Sequence, residues 1–207
     1  WNTVINFDPK NIRARQSLLD YSYQVATSGN WMAWKDVESN ASEIIERELD
    51  KSARIYRIKG QALLELVRYG QMTDKEKSIN EAIEILQKVN QEEPNHVDTY
   101  QYLADAVIQK GEILAAKGIL NAAENARQEA GKILIDGVES NPSNPKAYIN
   151  LYSNQLVDAK NDQDKISKVE SDLIKLTEKF PDSHIVYNAL TQLYFRNPKN
   201  SDKAVSA

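Results

Sequence analysis

Four proline junctions, "FDPKN", "EEPNH", "SNPSNP" and "FPDSH", recur along the chain around Pro9, Pro94, Pro142 and Pro181. Each closes one amphipathic stretch and opens another. Proline lacks an N–H and cannot continue the first helix, while the Asn, Asp and Ser beside it can cap the next. Six residues beyond each proline stand Arg15, Tyr100, Tyr148 and Tyr187. "ELDKSARIY" supplies a further junction, with Asp50 in the proline's place and Tyr56 six residues on. The anchors 9, 50, 94, 142 and 181 lie 41, 44, 48 and 39 residues apart, the ragged period expected when loop lengths vary between helices.

Between the junctions the apolar residues keep helical spacing. First helices carry Tyr56, Gly60 and Leu63; Tyr100, Leu103, Ala104 and Val107; Tyr148, Leu151 and Tyr152; and Tyr187, Leu190 and Tyr194. Second helices carry Ala82, Leu86 and Val89; Ala130, Leu134 and Gly137; and Val169, Leu173 and Leu176. A large residue followed four later by a small one, as in Tyr56/Gly60 and Tyr100/Ala104, admits a neighbouring helix at close range.

The pattern predicts helix pairs at 11–28 and 31–48, 52–69 and 75–91, 95–116 and 119–139, and 144–160 and 163–179, then a first helix at 183–196. They form about 4.5 pairs of one repeat domain over 1–207, with units near 10–50, 51–93, 94–141, 142–180 and 181–207. The opening "WNTVINFDPKN" reads as the end of a helix already under way, and "NPKNSDKAVSA" as the start of a further one. Both ends are expected to continue in a longer array. The third unit differs from the rest: "GEILAAKGILNAAENARQEAG" is rich in alanine, with Gly111, Gly118 and Gly131 as breaks or close-packing points.

"YQYLADAV" followed by "EAGKILIDGVESNP", together with "EAIEILQKVNQEEP", resembles the tetratricopeptide repeat. These units run longer than the family's ~34 residues, the second junction has no proline, and Tyr152 stands where a small residue is usual. The resemblance implies an all-α solenoid of antiparallel helix pairs in a right-handed superhelix. It further implies a non-catalytic protein–protein interaction scaffold that takes a peptide or partner protein in a concave groove lined by first helices. Positions beside the core stripe and turned to that face are Arg13, Gln16, Asp20 and Tyr23; Arg54, Arg57 and Gln61; Asp98, Gln101 and Asp105; Lys146, Asn150 and Ser153; and Asn188, Gln192 and Phe195. Arg13, Arg54 and Arg57 would make one end of the groove positive, with Asp98 and Asp105 a negative middle. The Lys/Asn arrangement by which some family members clamp a C-terminal carboxylate is not reproduced. Two readings compete with a peptide receptor: a self-assembly module forming homo-oligomers through its ends, and the regulatory or docking arm of a larger enzyme.

Composition narrows the chemistry. The chain has 207 residues, a formal charge of -4 and no cysteine, which removes thiolate catalysis, disulfides and Cys-based zinc sites and leaves the compartment open. The acidic balance and the lack of a Lys/Arg run argue against a duplex nucleic-acid partner. No apolar run approaches the ~20 residues of a membrane span. His96 and His184 open helices in equivalent units and have no H-x-x-x-H or HExxH context, so they are expected to be structural rather than metal ligands or bases. Asp98 and Asp105 share a helix face ~10 Å apart along the axis and read as a solvated face. No phosphate loop or nucleophile elbow occurs, and neither catalytic residues nor cofactor are expected. Trp31 and Trp34, in "GNWMAWKDV", are expected to pack the first pair's core; the competing reading is an aromatic platform.

Overall fold

The computed structural model describes residues 2–196, and among these the fold is entirely helical. In chain order the helices are α1 (Asn2–Phe7), α2 (Ile12–Thr27), α3 (Trp34–Glu46), α4 (Ala53–Arg68), α5 (Lys75–Glu92), α6 (Val97–Ala116), α7 (Ala122–Ser140), α8 (Pro145–Ala159), α9 (Gln163–Lys179) and α10 (His184–Arg196), with one 3-10 turn at Trp31–Ala33. The helix read from "WNTVINF" is α1. The one read from "NPKNSDKAVSA" lies outside the described residues.

Local chemistry sets the helix starts. Asn11 caps α2 by accepting from the Ala14 N–H, Asp74 caps α5 through Lys77, Asn144 caps α8 through Lys146, and Asp162 caps α9 through Asp164 and Lys165. Pro145 occupies the first turn of α8, where its missing N–H costs nothing. The six-residue interval after the prolines also has a structural cause. Arg15 Nε donates to the Pro9 carbonyl at 2.7 Å, and the Tyr148 hydroxyl to the Pro142 carbonyl at 3.2 Å. A donor six residues on therefore clips the turn to the first helix, and Arg serves as well as Tyr. Asp50 substitutes for proline differently: it accepts from the Ser52 N–H at 2.8 Å and from Gln16 Nε2 at 2.8 Å.

The packing divides the chain into two compact units, 1–130 and 131–207, with the division inside α7. In the first unit each helix from α2 to α6 packs on the next, and α4 also meets α6. Its core gathers Leu19, Trp34, Val37, Ile44, Ile55, Ala62 and Leu66. All nine second-helix stripe positions named above are buried. Gly60 of α4 explains the large/small alternation: a Cβ there would stand 2.7 Å from Leu86 Cγ, so its absence seats Leu86 of the paired helix. At Gly111 the approach is closer still, an added Cβ falling 2.3 Å from the Ala126 Cβ and 2.9 Å from the Ala122 carbonyl oxygen. The alanine-rich third unit is thus a close-packed helix pair.

The second unit packs α8, α9 and α10 mutually around Val169, Leu173, Leu176, Val186, Leu190, Leu193 and Tyr194. Tyr152, the large residue at a small-residue position, is half-buried against this core. The tryptophan expectation holds for one residue only. Trp34 is 5% exposed and meets Tyr23 edge-on with ring centroids 5.9 Å apart, whereas Trp31 is 44% exposed. Trp31 lies ahead of α3 on the connecting turn, where its ring meets Tyr69 of the next hairpin loop at 5.9 Å.

Candidate functional site

In the first unit the predicted face residues of α2, α4 and α6 come together, joined by polar contacts within helix pairs and between successive ones. Gln16 of α2 donates to Asp50, Arg54 of α4 pairs with Asp20 of α2, and the Tyr23 hydroxyl donates to Gln61 Oε1 at 2.8 Å. Arg57 Nη1 meets Glu93 Oε2 at 3.0 Å, and Gln101 Nε2 donates to Asp105 Oδ1 at 2.8 Å. Arg13 is exposed and Asp98 half-buried.

Besides Asp50, several participants were not among the predicted positions. Arg68, at the end of α4, bridges Asp105 at 3.0 Å and Glu65 at 2.9 Å. Asp105 is therefore an ion-pair partner rather than a solvated carboxylate, and Arg68 lies fourteen residues beyond Arg54 on the same helix face. Glu93 caps the end of α5. Tyr102 of α6 engages Tyr23, and its phenol is pushed well above the usual range by burial first, then by Tyr23 and Asp98, with Arg57 opposing. A run of polar side chains, Tyr102, Tyr23 and Gln61, thus crosses three first helices. Of the residues read as a positive end, Arg54 and Arg57 pair with Asp20 and Glu93, and of those read as a negative middle, Asp105 pairs with Arg68.

His96 precedes α6, where its backbone N–H donates to the Glu93 carbonyl at 3.1 Å. Its side chain does not cap the helix, and Nδ1 is buried without a hydrogen-bond partner. Burial chiefly, and Arg57 next, lower its pKa; Asp98 and Glu93 oppose them only in part. A His pKa lowered by folding means the unfolded chain binds the proton more tightly, so stability declines as pH falls below about 6.5, the unfolded value, and levels off below the folded pKa. His96→Asn should flatten that decline, and should also supply a capping side chain. Melting temperatures of both forms between about pH 7.5 and pH 5 test this; an unchanged slope in the variant would assign it to other groups.

In the second unit Lys146 lies exposed in the first turn of α8, and Asn188, Gln192 and Phe195 are exposed along α10. Ser153 and Gln192 meet at a cavity of 150 Å³ whose lining includes Ile149, Tyr152, Leu156 and Leu173. Asn150 is half-buried, with Nδ2 enclosed and unbonded. Among the described residues no group of three or more His, Cys, Asp or Glu is arranged to hold a metal ion. No described helix is long and apolar enough to cross a membrane.

Antiparallel helix pairs packed in sequence order define an all-α helical-repeat protein. Residues 75–135, covering α5, α6 and most of α7, match the tetratricopeptide repeat family. Among solved structures the chain is similar to TTC0263, a thermophilic tetratricopeptide-repeat protein of Thermus thermophilus, with a TM-score of 0.63 at 15% identity over 93% of this chain and 87% of that one. Residues 75–135 thus carry the tetratricopeptide-repeat pattern, and the chain shares the fold of a tetratricopeptide-repeat protein. Weaker likenesses are to MamA of MSR-1 (TM-score 0.42, 13% identity, 93% of this chain and 91% of that one) and to the human IFIT1 dimer with PPP-AAAA (0.44, 13%, 99% and 56%). No curated protein matches the chain. The fold generally mediates protein–protein interaction, and proteins of this family are typically non-catalytic.

Proposed function

We propose that the first-helix face of α2, α4 and α6 binds an extended segment of a partner protein, and that the chain acts as a non-catalytic scaffold. The observation that carries this reading is the Tyr102–Tyr23–Gln61 run. Tyr23 occupies the Gln61 carbonyl oxygen, which leaves the amide N–H groups of Gln61 to donate, as a main-chain carbonyl requires. Side chains already fixed by bonds to neighbouring helices lose little freedom on binding. The paired charges suit a segment of mixed polarity rather than one of a single sign, so they bear on orientation and encounter more than on affinity.

Affinity capture from a lysate, with the chain and its Arg54→Glu/Arg57→Glu variant side by side, tests the face. Arg54 and Arg57 face Asp20 and Glu93, so reversal sets like charges together on the face. The exposed Arg54 pair contributes under about 1 kcal/mol to folding, and because the Arg57 side chain is largely covered, circular dichroism of the variant checks that the fold is kept. The expected result is a partner retained by the parent and weakened about tenfold or more in the variant. Equal retention by both would remove the face from the assignment. Gln61 is 7% exposed, so Gln61→Glu both substitutes an acceptor for the amide donor and buries a carboxylate. It should weaken the same partner, and its urea midpoint separates lost binding from lost stability.

A further inference from the structure

The alanine-rich third unit leaves a cleft that the first-helix face does not use. It has a volume of 520 Å³, within the size range of ligand-binding clefts. Three helices line it with equivalent stripes: 80, 83, 84 and 87 on α5; 107, 110, 111 and 114 on α6; and 122, 125, 126 and 129 on α7. Each stripe is an i, i+3, i+4, i+7 set, so the walls run side by side for about 10 Å, two turns of a helix. The cleft exists because Gly111 lets α7 lie hard against α6 and because Ala122 and Ala126 contribute no bulk to fill the space beside α5.

Its mouth carries an unusual cost. Ile119 and Leu120, also in the lining, are 51% and 87% exposed, on a loop bracketed by Gly118 and Asn121 in left-handed conformation (φ +86° and +60°). Gly and Asn are the residues that adopt that region most readily, and here the turn they set holds two large apolar side chains in water. Ile83 and Val107 supply buried apolar floor. On opposite walls Glu84 and Glu129 are exposed, and neither has an ion-pair partner among the described residues. Lys110 is the one cation in the lining.

We infer that this cleft docks an amphipathic helix from a partner protein, its apolar stripe on Ile83, Val107 and Leu120 and its Lys or Arg flanks against Glu84 and Glu129. Parallel helical walls of two turns, an apolar floor and a presented apolar pair are the elements of helix-in-groove recognition. Uncompensated carboxylates on both sides select basic flanks. A second copy of this chain is the less suitable occupant, since each copy has a formal charge of -4. The inference is independent of the first-helix face, which shares no residue with the cleft.

A displayed library of helical peptides of about five turns, with leucine fixed at i, i+4 and i+7 and the flanks randomised, tests it on the whole chain. Enriched peptides should carry Lys or Arg flanks. Their affinity should fall about tenfold or more in Leu120→Ser and in Glu84→Lys/Glu129→Lys, and should hold in Arg54→Glu/Arg57→Glu. Leu120 and both glutamates are exposed, and circular dichroism of each variant checks that the fold is kept. No enrichment, enrichment of acidic flanks, or binding indifferent to Leu120→Ser would each overturn the assignment. A concentration-dependent dimer dissolved by Leu120→Ser would overturn it in favour of a second copy.

Discussion

Leu86→Ala is expected to destabilise the first unit by about 2–5 kcal/mol, the range for truncating a fully enclosed leucine. Leu86 is wholly buried and fills the space that Gly60 of the paired helix leaves open. Glycine cannot extend to close the cavity, and the facing helix is held on its other side by α3 and α6, so little collapse can compensate. Urea unfolding followed by helical circular dichroism should show a lower midpoint at an unchanged slope. Asp98→Asn, in the first turn of α6, should by contrast cost less than about 1 kcal/mol, the size of a helix-dipole contribution. A large effect at Asp98 with a small one at Leu86 would contradict the packing register.

Gly111→Ala should also destabilise, by about 1–3 kcal/mol, although alanine is the better helix former by about 1 kcal/mol. Steric conflict wins because the new methyl would meet the Ala126 Cβ and the Ala122 main-chain oxygen, neither of which can rotate aside. Gly131→Ala, in the same helix pair, is the control: no atom lies within 4 Å of an added Cβ there. It should stabilise by about 0.5–1 kcal/mol. Equal and favourable effects at both glycines would mean that α6 and α7 are not in such close contact.

Helix existence and order were legible from sequence because the signals are local. A proline, a capping Asn or Asp and a donor six residues later all act within about two turns of chain, and the helices follow them closely. Stripe positions such as Leu86, Leu134 and Leu173 were equally legible, since burial tracks a helical period. Partners across the face were not. Arg68 with Asp105, Arg57 with Glu93 and Tyr102 with Tyr23 depend on how far one helix slides along the next, which side-chain volume at the contact decides. Spacing on a single helix places Arg54, Arg57 and Gln61 together but does not say which carboxylate each one meets. Trp31 eluded the same reasoning because it precedes its helix, where the helical period no longer governs direction.

Polar contacts between elements span 34, 36, 38 and 41 sequence positions: Gln16–Asp50 and Arg57–Glu93 close a single unit, while Tyr23–Gln61 and Lys117–Glu76 tie one helix pair to the next. Each equals about one repeat, so the ties join neighbours along the chain. Closing loops of that size carries a modest entropy penalty that grows only slowly with length. Folding can therefore nucleate at any pair and spread outward, one docking at a time. During synthesis, a pair leaving the ribosome finds its partner already in place: assembly keeps pace with translation and does not await the final residue.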